Sequence, residues 1–299
     1  MIIADKINIG DRVGIISTAR KISFQELNPA IEILESWGLE VVLGEFLFEV
    51  DNQFAGTVEK RVVDLQHMID DDTIRVILCA RGGYGTVQVI DKIDFSKLYK
   101  DPKWIIGYSD VTVLHSHLNQ FGLATLHATM PINFSKNTQK SLDSLHNSLF
   151  GIQNIIKASS HKFNRLGKVK GEVIGGNLSI LYSLLGSRSD INTDGKILFL
   201  EDLDEYLYHI DRMIINMKRN GKFNNLKGVI IGGMGDMNDN DTPFGKTAEE
   251  IILEHIKEYN FVFCFGFPSG HLEDNRSIRL GVDSVLEINE NGVTLSQSL

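Results

Sequence analysis

Ser109 stands in the run Ile105-Ile106-Gly107-Tyr108-Ser109-Asp110, followed by Val111-Thr112-Val113-Leu114. An apolar strand that ends at a glycine and hands over to a helix turns sharply. A serine in such a turn has its hydroxyl pushed out of the sheet edge, beside backbone N–H groups able to hold an oxyanion. That is a setting for a hydrolytic nucleophile, which needs a base, and the base needs an orienting partner. His271 lies in Gly266-Phe267-Pro268-Ser269-Gly270-His271, directly after the strand-like Phe261-Val262-Phe263-Cys264-Phe265. Glycine and proline around it imply a shaped loop at a strand's C-terminal end, where open α/β sheets bind ligands. The other reading is a plain loop histidine. Glu201 and Asp202 follow the apolar Ile197-Leu198-Phe199-Leu200. A carboxylate there is costly unless it is paired or faces a cleft. Alternatively, both open the next helix, where acidic residues suit its dipole.

Other chemistry-bearing groups are weaker. Arg81-Gly82-Gly83-Tyr84-Gly85-Thr86 also follows an apolar strand. Its glycines allow close backbone approach, as an oxyanion contributor or a phosphate cradle. Arg81 suits a carboxylate held by two hydrogen bonds, or a structural ion pair. His115 and His117, two apart on a helix, face different sides and make a poor metal pair. His127 ends a strand near Ser109 and is a candidate for the same cleft. Asp236-Met237-Asn238-Asp239-Asn240-Asp241 resembles a calcium loop until positions 6 and 12 are read: Asp241 and Thr247 stand where glycine and glutamate are required. No metal or cofactor is expected.

The elements that must position these residues alternate strand and helix. Val13 to Ser17, Val41 to Leu43, Ile74 to Cys79, Lys103 to Ile106 and Leu123 to His127 read as strands. Helices separate them: one runs from a Ser23/Glu26 capping box to Trp37, the others cover Val58 to Ile69 and Asp110 to Phe121. Such alternation implies right-handed crossovers and a parallel sheet. The polar stretch 151–168 reads as a linker between a domain over 1–150 and a second over 169–299. The second domain mixes strands (Ile197 to Leu200, Gly228 to Ile231, Phe261 to Phe265), helices (Asn177 to Leu185, Tyr206 to Lys218, Thr247 to Tyr259) and a terminal hairpin at Asn291-Gly292.

The chain has 299 residues and a formal net charge of -9, which argues against a nucleic-acid partner, since phosphate binding needs a basic face. No apolar run approaches the roughly 20 residues needed to span a membrane. The first residues show no basic region followed by an apolar core, so no secretory signal is expected. Cys79 and Cys264 lie in apolar runs and read as buried, reduced thiols. A cytoplasmic protein is the expectation.

Five blocks then acquire a common meaning: Ala80-Arg81-Gly82-Gly83-Tyr84-Gly85, Gly107-Tyr108-Ser109-Asp110, Gly175-Gly176-Asn177-Leu178, Leu200-Glu201-Asp202 and Gly270-His271. Their order and spacing resemble the LD-carboxypeptidases, serine peptidases whose family also holds the microcin C self-immunity peptidases. The resemblance runs from Gly10-Asp11-Arg12-Val13-Gly14-Ile15 to Arg279-Leu280-Gly281. It implies a flavodoxin-like N-terminal domain, a smaller mixed α/β C-terminal domain, an active site between them, and a homodimer. It implies a triad of Ser109 as nucleophile, His271 as base and Glu201 as orienter. The backbone N–H groups of Asp110 and Gly83 would form the oxyanion hole, and Arg81, Gly82 and Tyr84 would contact substrate. The chain order Ser109, Glu201, His271 is also that of α/β-hydrolases.

The implied reaction releases terminal D-alanine from murein tetrapeptides in cell-wall recycling, through an acyl-enzyme. Arg81, Arg276 and Arg279 are candidates for binding the free carboxylate. Two alternatives stand beside it. One is a related hydrolase of peptidyl or aminoacyl adenylates, which would need an aromatic clamp; Trp37 and Trp104, the only tryptophans, fall in no evident substrate loop. The other is a non-catalytic ligand-binding α/β protein. The chain departs from the family pattern at Ser17-Thr18-Ala19-Arg20, where proline and serines are usual, and at His127-Ala128-Thr129-Met130, where His-Gly-Pro is common. Ser277-Ile278-Arg279-Leu280 replaces a more apolar run with proline.

Overall fold

A computed structural model describes residues 1–297. The first half runs β1 (Arg12–Ile16), α1 (Phe24–Ser36), β2 (Glu40–Leu43), α2 (Val58–Asp70), β3 (Ile74–Cys79), α3 (Thr86–Val89), β4 (Trp104–Gly107), α4 (Thr112–Gln120), β5 (Thr125–His127) and α5 (Gln139–Leu149). The second half runs β6 (Asn154–Ala158), β7 (Gly167–Asn177), α6 (Leu178–Leu184), β8 (Ile197–Leu203), α7 (Leu207–Arg219), β9 (Gly228–Gly235), α8 (Ala248–Ile256), β10 (Val262–Cys264), β11 (Ile278–Leu280), β12 (Val282–Asn289) and β13 (Gly292–Gln297).

The first sheet has the order β11-β5-β4-β3-β1-β2, with β1 to β5 parallel. Strands β2-β1-β3-β4-β5 follow the flavodoxin-type doubly wound order, whose switch point lies between β1 and β3. The loops after β1 and β3 therefore diverge and open a crevice at the strands' C-terminal ends. Strands buried on both faces need continuous apolar runs, which Val76 to Cys79 and Trp104 to Ile106 supply, Arg75 being exposed near the start of β3; Val76, Ile77, Trp104, Ile105 and Ile106 are fully enclosed. Each such side chain contributes about 1.5–3 kcal/mol by leaving water. Helix α1 starts as expected, with Ser23 and Glu26 closing a capping box.

The second sheet has the order β10-β9-β8-β7-β12-β13-β6. Strands β7 to β10 are parallel; β12, β13 and β6 continue the sheet antiparallel. Cys79 and Cys264 are both buried and free, as their apolar settings imply.

Two features depart from the sequence reading. The stretch 151–168, read as a linker, carries structure of its own: Asn154–Ala158 is an edge strand paired with β13, and Arg165 bridges to Phe263. Its alternating burial is that of a half-covered strand. The C-terminal part is also not confined to one sheet. Ile278–Leu280 pairs antiparallel with Leu126 and its neighbours in β5, and the chain then passes through Gly281 into β12 of the second sheet.

Candidate active site

Strand β4 ends at Gly107, Tyr108 stays extended, and Ser109 takes φ +61 before the helical turn into α4. A non-glycine residue in the left-handed region is strained, and such strain collects where a side chain must be aimed. The turn is packed tightly from beneath, since a Cβ on Gly107 would lie 2.8 Å from Val111 Cγ2. Beside it stands Gly82, where a Cβ would lie 3.2 Å from Ser109 Oγ and 3.4 Å from the Asp110 nitrogen. The missing side chain leaves room next to both atoms for a carbonyl oxygen. The Asp110 carboxylate turns inward and accepts a hydrogen bond from the Thr86 N–H at 2.8 Å, tying the Ser109 turn to the end of the Gly82–Gly85 loop. Burial raises its pKa against those hydrogen bonds.

Glu201 lies within β8 and is fully buried. One carboxylate oxygen, Oε2, accepts from the His271 backbone N–H at 3.1 Å and pairs with His271 Nδ1 at 2.7 Å. An ionised carboxylate only accepts, so this pairing places the ring proton on Nδ1 and leaves the Nε2 lone pair free. Burial alone would lower the imidazole pKa; the charge of Glu201 and its hydrogen bond outweigh burial and hold it above the ordinary value. The loop bearing His271 is closed on itself: Gly270 N–H donates to Asn275 Oδ1 at 2.9 Å, and Ser269 Oγ to the Arg276 carbonyl at 2.7 Å. It is also pinned to the first half, through Thr138 N–H and Asn137 Nδ2 donating to the Glu273 carbonyl. The neighbouring Asp202 accepts from Asn177 Nδ2 and the Ser179 N–H at the start of α6. Burial, with the charge of Glu201 added, raises its pKa to about 7.

Ser109 and His271 line one cleft of about 630 Å³ between the two halves, together with Arg81, Gly82 and Gly83. That volume lies within the range of small-molecule sites. Among the described residues no hydrogen bond joins Ser109 to the imidazole. The Tyr108 ring meets the His271 imidazole edge-on, with ring centres 4.8 Å apart. A second hollow, of about 530 Å³ along α2, is lined by Val63, Gln66, His67, Asp70 and Asp71 and shares no residue with this cleft.

Several expected residues fall elsewhere. Tyr84 packs beside Phe54 and is half exposed, outside the cleft lining. Arg276 is engaged by Asp274 at 2.7 Å, and Arg279 is buried in β11, donating to the Ser148 carbonyl. His127 is enclosed beneath Tyr108, and burial holds its pKa well below the ordinary value. Conversely, Arg20, Asn133 and Lys136 line the cleft without having been singled out for it. Arg20 had one signal, its place in a stretch that departs from the family pattern.

Residues 13–128 match the LD-carboxypeptidase N-terminal domain and residues 170–286 the LD-carboxypeptidase C-terminal domain. A probable murein peptide carboxypeptidase of Bacillus subtilis is 34% identical over 297 residues, covering 95% of this chain and 91% of that protein. The crystal structure of muramoyltetrapeptide carboxypeptidase from Oxalobacter formigenes superposes with a TM-score of 0.89 at 23% identity, covering 96% of this chain and 99% of the other. The microcin C7 self-immunity protein MccF, in complex with aspartyl sulfamoyl adenosine, gives a TM-score of 0.88 at 21% identity, covering 99% and 98%.

Proposed function

The chain belongs to the LD-carboxypeptidase family, and from that membership we propose that it releases the terminal D-alanine of murein tetrapeptides through a Ser109–His271–Glu201 triad. The observation that carries the reading is the buried Glu201–His271 pair, at 2.7 Å, opening on the same cleft as a serine held at φ +61.

In this reading Ser109 Oγ attacks the scissile carbonyl carbon while His271 Nε2 takes its proton. Glu201 stabilises the imidazolium and fixes its tautomer without itself becoming protonated. The Asp110 and Gly83 N–H groups hold the tetrahedral oxyanion in the space beside Gly82; one such donor is worth roughly 2.7–4 kcal/mol of barrier. His271 then protonates the leaving amine, D-alanine departs, and water cleaves the acyl-enzyme by the same steps in reverse roles. Arg81 and Gly82, both on the cleft wall, are candidates for contact with the bound peptide.

The reading extends to a cytoplasmic homodimer. The two buried free thiols suit a reducing compartment; the dimer rests on the family pattern, and size-exclusion chromatography with light scattering tests it. Among the described residues no helix is long and apolar enough to cross a membrane.

The direct experiment is incubation with a murein tetrapeptide and mass detection of the product. Loss of one alanine, absent with Ser109→Ala, is the expected result. An intact peptide under conditions where the protein is folded overturns the reading, and release of an amino acid from an aminoacyl sulfamoyl or phosphoramidate nucleoside instead would favour adenylate-type substrates.

A further inference from the structure

The cations lining the cleft beside Ser109 are not equivalent. Arg81 donates Nη1 to the Lys21 carbonyl at 3.0 Å, while Lys136 offers a single ammonium with no planar fork, and Glu26 also lines the cleft. Glu26 is itself held by the Ser23 cap at 2.8 Å. Arg20 lines the same cleft and, among the described residues, enters no ion pair and donates no side-chain hydrogen bond.

Its main chain is nevertheless fixed. The Arg20 carbonyl accepts from Ser17 Oγ at 2.7 Å, and the residue pairs with Phe54 as an isolated antiparallel bridge. The hydrogen bonds from Lys21 N–H to the Gln53 carbonyl, at 3.0 Å, and from Ala55 N–H to the Ala19 carbonyl, at 3.1 Å, flank it. The side chain runs along Gly83, where a Cβ would meet Arg20 Cδ at 2.5 Å and Nε at 2.7 Å. On the adjoining glycine, a Cβ at Gly82 would meet Ser109 Oγ at 3.2 Å. Neighbouring α-carbons are about 3.8 Å apart. The peptide group between Gly82 and Gly83 thus has the nucleophile at one end and the Arg20 side chain at the other.

A C-terminal residue cut from a peptide carries its carboxylate two bonds beyond the scissile nitrogen. A group that recognises this carboxylate must stand within one residue's reach of the nucleophile. Of the cations on the cleft wall, Arg20 combines that position with an uncommitted guanidinium, whose planar fork matches a carboxylate through two parallel hydrogen bonds. We propose that Arg20 binds the free C-terminal carboxylate of the substrate, restricting the enzyme to removal of the last residue. The substrate class that follows is a peptide whose residue after the scissile bond ends in an unmodified carboxylate. The placement of Arg20 relative to the scissile bond rests on Ser109 being the nucleophile; its contact with a terminal carboxylate does not.

The test uses binding, so that it does not depend on turnover. The Ser109→Ala protein is titrated calorimetrically with a D-alanyl-terminated murein tetrapeptide and with the same peptide carrying a C-terminal amide. The acid binds more tightly than the amide. Adding Arg20→Met keeps an unbranched stem against Gly83 and removes the fork. It weakens acid binding by roughly 10- to 150-fold, the range for a lost hydrogen bond to a charged group, and leaves amide binding within about threefold. Arg20→Lys recovers part of the loss. Acid binding that is no tighter than amide binding, unchanged in the Arg20→Met protein, or weakened equally for both peptides overturns the proposal. Hydrolysis of the acid peptide by the protein with Ser109 intact is followed separately. If that fails while the binding pattern holds, the catalytic reading falls and the carboxylate site stands.

Discussion

Gly270 and Glu201 touch in a way that no side chain at position 270 would allow. With Gly270 at φ +108, a Cβ there would lie 2.6 Å from Glu201 Oε2, the oxygen that pairs with His271. The glycine therefore sets the approach of the histidine loop to its carboxylate. Gly270→Ala has both to adopt a disfavoured conformation and to push Glu201 away. We expect a loss of stability of roughly 1–3 kcal/mol and a fall in kcat/KM of about 100-fold, the scale for a misplacement near 1 Å. Urea unfolding and tetrapeptide hydrolysis measure the two, and a variant with wild-type kinetics would refute the positioning role.

The imidazole acts as a base only when neutral, and Glu201 raises its pKa. In the wild type kcat/KM should rise with pH and level off above the ordinary histidine range. Glu201→Gln removes the charge and leaves burial dominant, so the inflection moves to lower pH. The plateau falls as well, by roughly 10²–10⁴-fold, because the amide no longer secures the tautomer and the imidazolium. A pH–rate profile from 4.5 to 9 reads both effects; an unmoved inflection would count against the pairing as the source of the shift.

Ser109 pays for its exposure with backbone strain at φ +61. Glycine occupies that region freely. Ser109→Gly should therefore be inactive yet more stable, by about 1 kcal/mol, while Ser109→Ala is inactive with near-native stability. Chemical denaturation of all three proteins checks the order, and a destabilised glycine variant would contradict it.

Asp202 holds its proton to about pH 7 when folded, against an ordinary value of 3.8. The folded state thus binds more protons than the unfolded chain between those limits, and stability falls as pH rises through that window. The contribution amounts to roughly 4 kcal/mol over the window. Asp202→Asn cannot titrate, so the slope of stability against pH should flatten, even though the variant gives up an acceptor for the Ser179 N–H. Melting curves from pH 4.5 to 7.5 with identical slopes would exclude this role.

Much of the candidate site is visible in the sequence because parallel sheets bring side chains together at strand ends. Ser109, Glu201 and His271 each lie at or just beyond the end of an apolar run, and local pattern reveals such runs. Sheet membership of short strands is another matter. Ile278–Leu280 joins the first sheet by pairing across more than half the chain, which no local pattern encodes. Asn154–Ala158 has the alternation of a strand but sits in polar company that obscures it. The arginines show the same divide. Asp274 lies two residues from Arg276, and that spacing could have flagged the ion pair. The burial of Arg279 and the freedom of Arg20 depend on distant neighbours and become visible only in the fold.

The passage of the chain from β11 through Gly281 into β12 constrains how such proteins can be recombined. A hybrid joined near residue 150, with one relative's front half and another's back half, would supply the wrong terminal strand to β5. Compatible chimaeras must transplant Ile278–Leu280 along with the front half. Separately expressed fragments should likewise need mutual assembly to cover the bare side of Thr125–His127, where an unpaired strand would otherwise invite aggregation.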